Sequence, residues 1–144
     1  MSAPQDPHNL QRFVEAQSLT FDQVLHELRN GRKESHWIWY IFPQIKGLGH
    51  SPMSIRFAIN SRAEAQAYLA HPILGPRLQQ CTQLVLDVPN RPIAEIFGYP
   101  DDLKFHSSMT LFSQVDTKPS IFEQALTKYF AAQPDQQTLD RLSL

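Results

Sequence analysis

A single cysteine, Cys81, in 144 residues excludes an intramolecular disulfide and leaves no C-x-x-C pair for zinc or thiol exchange. Charge of one sign is equally lacking. Lys and Arg number 13 against 14 Asp and Glu, for a formal net charge of -1, so there is no electrostatic footprint for duplex nucleic acid or an anionic membrane. The longest strongly apolar run, Trp37 to Phe42, falls far short of the roughly 20 residues of a membrane-spanning helix. The start, M-S-A-P-Q-D-P-H-N, has neither the basic nor the apolar region of a secretory signal, so a soluble cytoplasmic protein is expected. The six histidines form no H-E-x-x-H, no i,i+4 pair and no cysteine companionship. No metal or other cofactor is therefore expected.

What is present is helical spacing. The chain is long enough to bury about two thirds of its unfolded surface in one core, and no linker, repeat or low-complexity tract divides it, so residues 1–144 read as one domain. Leu10, Phe13, Val14 and Gln17 fit one helical face. A second helix is expected after Thr20, whose T-x-x-Q with Gln23 has the form of a capping box, and Gly31 should end it. Ser35 is placed to cap a short helix that Pro43 must stop. Residues 53–59 are the one segment for which a minor extended stretch stands as an alternative to helix. Ser61 with Glu64 opens another helix, and Pro72 supplies a first-turn residue for the next. Leu74, Leu78, Cys81, Val85 and Val88 form the stripe expected of a central helix. Pro92 to Phe97 reads as a turn closed by Gly98, and Asp101 or Asp102 as the cap of a helix through Val115. Ser120 with Glu123, and then Asp135, cap the last two. The expectation is an all-α, irregular bundle of seven or eight helices.

Within this pattern, K-E-S-H-W-I-W-Y-I-F-P-Q at 33–44 is the window least explained by packing alone. Trp and Tyr carry polar atoms that need partners when buried, and Leu or Ile would fill a core more simply. His36, Gln44 and a Trp face are groups that recognise a planar ligand. Ile38, Ile41 and one of the two tryptophans read most simply as a buried core helix. The loop Gly47-Leu48-Gly49-His50-Ser51 places two glycines where backbone N–H groups can approach an anion, although it is neither a P-loop nor a dinucleotide motif.

S-H-W-x-W-x-I-F-P-Q and G-L-G, followed by E-A-x-A-Y-L-x-H-P-x-L-G-x-R-L at 64–78, F-G at 97–98, D-D-L-K at 101–104, S-S-M-T-L-F at 107–112 and D-x-x-T-L at 135–139, resemble the signature of the bacterial family catalogued as Domain of Unknown Function 1810. Some of its members carry the automated label "calpastatin". The resemblance implies a compact, mostly helical domain and no mechanism. His106 stands outside these motifs and inherits no role.

Lys104 and Ser108 lie four apart on the helix expected from 101, with Ser107 beside them. A lysine there can bind an anionic group or activate a serine. The candidate ligand-binding set is Lys33, His36, Trp37, Trp39, Gln44, Lys104, Ser107 and Ser108, with Glu34 and His36 as candidate catalytic residues. The leading expectation is a domain that binds, or hydrolyses without metal, a planar anionic metabolite such as a nucleotide or nucleotide-sugar. A fainter similarity in helix order and in the 64–78 segment links the chain to domains that cleave N-glycosidic bonds of ADP-ribose derivatives. That reaction needs a carboxylate against an oxocarbenium-like sugar, and Glu34 is the nearest candidate. The rival expectation is a protein-interaction module whose exposed aromatics hold a partner, as the "calpastatin" label would have it.

Overall fold

Side-chain caps at Ser51, Ser61, Ser120 and Asp135 open four helices, and Gly31 and Gly98 follow the ends of two others. A computed structural model describes residues 5–143. Residues 1–4, part of the start read above for its missing signal, and Leu144, the end of the expected domain, lie outside the described residues. Among the described residues nine helices follow one another: α1 (Gln11–Arg29), α2 (Ile38–Ile41), α3 (Pro52–Arg56), α4 (Arg62–Ala70), α5 (Leu74–Leu86), α6 (Ile93–Phe97), α7 (Asp101–Val115), α8 (Ile121–Phe130) and α9 (Gln136–Leu142). The all-α expectation holds, with slightly more helices than foreseen.

The expected break at Thr20 does not occur. No Pro or Gly interrupts residues 11–29, so α1 runs straight through. The Thr20 hydroxyl bonds back to the Ala16 carbonyl at 3.3 Å and meets the Tyr40 hydroxyl at 3.0 Å, while the Gln23 side chain donates forward to Glu27. The helix is opened by Asp6, whose carboxylate accepts from the Leu10 and Gln11 N–H groups at 2.8 and 3.0 Å. It closes on Gly31 at φ 69°. There the Arg32 N–H reaches the Glu27 carbonyl at 3.1 Å and the Gly31 N–H the Leu28 carbonyl at 3.0 Å, the paired bonds of a Schellman end.

Three further expectations are corrected. The window helix is a single turn, α2, with no side-chain cap, because the Ser35 hydroxyl donates to Glu27 instead. Residues 53–59 form no strand: Ser51 accepts from the Ser54 N–H at 3.1 Å and opens α3 with Pro52 in its first turn. Only Ile59 pairs, in an isolated parallel bridge to Ile45, where the Lys46 N–H donates to the Ile59 carbonyl and the Ile59 N–H to the Gln44 carbonyl. Finally, α5 starts at Leu74 and not at Pro72. The Ile73 and Leu74 N–H groups are taken by Nδ1 of His71, which leaves Pro72 in the entry turn.

The remaining caps are close to expectation. Ser61 accepts from the Glu64 N–H at 3.1 Å, but Glu64 returns its carboxylate to Asn60 and to Arg12, the latter at 2.8 Å. Ser120 and Glu123 form the full reciprocal box. Asp135 accepts from the Thr138 N–H. Asp101 and Asp102, expected as the cap of α7, fall instead in its first turn, where the dipole favours their charge; Pro100 stands at the N-cap and no side chain caps the helix.

The core centres on α7 as much as on α5. Helix α7 packs against α2, α4, α6, α8 and α9, and its middle, from Ser107 to Ser113, is buried all round, as a helix enclosed by others must be. Phe42, Phe97 and Phe105 meet at centroid distances of 5.7, 5.0 and 4.7 Å, joining the aromatic window to α6 and α7. This packing fixes segment 44–49 beside the first turns of α7 and α9.

Candidate functional site

The loop from Lys33 to Trp37 is organised by Glu27. On α1 this residue occupies the buried stripe between Val24 and Leu28, a position where a carboxylate must be fully hydrogen-bonded. One oxygen accepts from the Glu34 N–H, the Ser35 N–H and the Trp37 indole N–H at 2.6, 2.8 and 3.0 Å. The other accepts from Gln23 and the Ser35 hydroxyl. Burial works to raise the pKa of this carboxyl, but the bonds from Ser35, Glu34 and Gln23 outweigh it and hold the group at about 2. Glu27 is an anion at neutral pH whose acceptors are committed to its own chain.

Consequently most of the window serves the core. Trp37 is 1% exposed, with its N–H on Glu27 and its ring under the Lys33 ammonium at 5.0 Å. It has no free face on which to stack a ligand. Lys33 is itself engaged: its ammonium reaches Asp101 at 2.7 Å and the Ser35 carbonyl at 2.6 Å. Glu34 and His36 are exposed and line none of the cavities described below.

A different subset converges. Between segment 44–49 and the first turns of α7 and α9 lies a cleft of about 410 Å³, lined by Gln44, Leu48 and Gly49 on one side and by Leu103, Lys104, His106, Ser107, Asp135 and Gln137 on the other. Lys104 and Ser107 are three apart on α7 and so share the face that Ser108 was expected to occupy. Ser108 is fully buried and its hydroxyl has no partner among the described residues. The Lys104 ammonium lies 5.1 Å from the Trp39 ring centroid and 3.5 Å from Asp101. Asp101 thus stands between Lys33 and Lys104 and ties the window to α7.

Trp39 adjoins the cleft without lining it. Together with Gln44 and Gly49 it borders a small void of about 10 Å³ next to Ser54 and Phe57, and its indole N–H has no partner among the described residues. The Gln44 side chain likewise makes no hydrogen bond among them, since that residue bonds through its backbone carbonyl. Both are donors left over by the fold.

The opposite wall is tied together by hydrogen bonds and one ring stack. Nε2 of His106 lies 2.8 Å from the Gln133 carbonyl, so this nitrogen carries the proton. The ring is stacked on Phe130 at 4.0 Å. One oxygen of Asp135 accepts from the Ser107 hydroxyl at 2.9 Å, the Thr138 hydroxyl at 2.6 Å and the Thr138 N–H at 3.3 Å. The Asp135 N–H donates to Thr110 at 2.8 Å. Sequence reasoning missed His106 and Gln137 and saw Asp135 only as a cap. The spacing of His106 three residues after Leu103 on α7 was the available signal. Among the described residues no three His, Cys, Asp or Glu side chains gather as a metal would require, and no helix is long and apolar enough to cross a membrane.

Comparison with known proteins places this geometry in a family. The model of the family described as "Protein of unknown function (DUF1810)" matches residues 7–142. The crystal structure of the conserved hypothetical protein Rv1873 from Mycobacterium tuberculosis is 50% identical, with 96% of this chain and 99% of that chain covered and a TM-score of 0.95. Among curated proteins there is no significant match.

Proposed function

The chain belongs to this family of proteins of unknown function, and we propose that it binds a small planar metabolite with an anionic group, of the nucleotide or nucleotide-sugar kind, in the cleft between segment 44–49 and helices α7 and α9. The observation that carries this reading is the convergence of Gln44 with Lys104 and Ser107 of α7, about sixty residues later in the chain, on one cavity of about 410 Å³. That volume lies in the range of small-molecule sites. Lys104 supplies the charge. Gln44 offers a matched donor and acceptor to an amide or base edge, and Leu48 and Leu103 supply apolar walls.

Binding fits this arrangement better than hydrolysis. Glu34 and His36 lie outside the cleft, and the carboxylate within it, Asp135, is engaged by three donors on one oxygen. The interaction-module reading loses its surface, because Trp37, Tyr40 and Phe42 are buried and Trp39 is covered in part by Lys104.

The test is a thermal-shift screen of nucleotides, nucleotide-sugars and flavin-type compounds. A ligand at about 100 times its dissociation constant adds roughly 2.7 kcal/mol to stability by mass action. Lys104→Ala should weaken a hit in a salt-sensitive way, and Gln44→Ala should weaken it at all salt concentrations. A hit whose affinity ignores both substitutions, or a screen with no hit, sinks the proposal.

A further inference from the structure

We propose that a second cavity, of about 420 Å³, binds the phosphoryl or pyrophosphoryl group of a small molecule through Lys46, Arg62 and Arg141. These three cations arrive from the 44–49 segment, the start of α4 and the end of α9, and no acidic residue lines the cavity with them. Among the described residues none of the three forms an ion pair. The neighbouring carboxylates are engaged elsewhere: Glu64 with Arg12 at 2.8 Å, and Asp140 with the Gln136 side chain at 2.9 Å. Three like charges around one space repel one another unless an anion enters.

The chain position of each residue is set by its own device. Lys46 is set by the bridge between Ile45 and Ile59, through its N–H to the Ile59 carbonyl at 2.9 Å. Arg62 opens α4 behind the Ser61 cap and donates to the Gln114 carbonyl at 3.1 Å. Arg141 packs on Gly47, the first glycine of the G-L-G loop. At φ +95°, Gly47 leaves room for the guanidinium, whose Cζ lies 2.7 Å from where a Cβ would stand, and its carbonyl accepts from Arg141 at 3.4 Å. The glycine that the sequence offered as an anion loop thus seats an arginine.

Anchoring leaves donors over. Among the described residues each guanidinium uses one bond of the several it can make, and the Lys46 ammonium makes none. Two guanidinium forks match paired phosphoryl oxygens bidentately, and the lysine adds a point charge. The Ser61 oxygen accepts from the Glu64 N–H, so its own hydrogen remains available to the ligand. This site shares no lining residue with the α7–α9 cleft and is independent of the function proposed there.

The experiment is calorimetric titration of inorganic pyrophosphate into the full chain at low ionic strength. Saturable one-to-one binding is expected, weakened about fivefold or more by Lys46→Gln and by Arg62→Gln, as for partly exposed charge contacts. It should weaken further with salt and be unaltered in Lys104→Gln. Lys46 is exposed and its side chain makes no bond among the described residues, so its variant should fold, which circular dichroism checks. Absence of saturable binding, wild-type affinity retained in Lys46→Gln and in Arg62→Gln, or loss confined to Lys104→Gln overturns the assignment.

Discussion

Replacing Glu27 tests how the aromatic window is held. In the native state its carboxylate accepts from two backbone N–H groups, the Trp37 indole, the Ser35 hydroxyl and the Gln23 amide. Glu27→Ala strands these donors in a site where the residue is 1% exposed. Breaking a buried charged network of this kind costs about 3–5 kcal/mol. Glu27→Gln keeps the shape and one acceptor oxygen but loses the charge. For the wild type, the native pKa of about 2 lies below the ordinary 4.5. A depressed pKa gives stability that is fully present above the unfolded value and is lost as pH falls from about 4.5 towards 2. The drop corresponds to roughly 3 kcal/mol. Urea titrations read by tryptophan fluorescence should show wild type and Glu27→Gln separated by about that amount at pH 7. The gap should narrow steadily below pH 4.5. A gap that stays constant down to pH 3 would refute the claim that charge, and not shape, holds this loop.

Burial pushes the Cys81 thiol up to about 12, so the native protein should resist alkylation at pH 8 and label fully only in denaturant; rapid native labelling would contradict the packing of α5. Gly75→Ala improves helix propensity by about 1 kcal/mol, yet its Cβ would sit 2.2 Å from the Leu69 carbonyl oxygen. Urea melts should therefore show a net loss of about 2–4 kcal/mol. Gly47→Ala forces a strained φ and displaces Arg141; about 1–2 kcal/mol of stability should go, together with the pyrophosphate affinity that depends on that guanidinium, both measurable by melting and calorimetry.

The fold was legible wherever a local rule decided the outcome. Ser61, Ser120 and Asp135 cap the helices they were expected to cap, since a hydroxyl or carboxylate three residues before a free N–H needs no distant partner. Thr20 failed because its hydroxyl had a rival in Tyr40, a residue of another element. Ser35 failed for the same reason, with Glu27 as the competitor. The extended reading of 53–59 failed because Ser51 and Pro52 form a helix start that its apolar residues do not announce.

The two tryptophans separate what sequence reveals about a site from what it does not. Both lie in one window, and both carry an N–H that the core must satisfy or leave. Trp37 spends its N–H on Glu27, a carboxylate ten residues earlier whose place on the stripe with Val24 and Leu28 was readable and whose partner was not. Trp39 has no such acceptor among the described residues, and it borders the same residues, Gln44 and Gly49, that line the cleft. Hydrophobicity and periodicity treat the pair alike. Only an account of where each donor goes assigns one to the core and leaves the other beside a cavity, and that account requires the long-range contacts of α1, α2 and α7. Restoring an acceptor near Trp39 would test the distinction directly: Ala58→Asp, in the wall of the small void, should quench or shift Trp39 emission in a Trp37→Phe background, whereas an unchanged spectrum would mean that the indole N–H does not face that void.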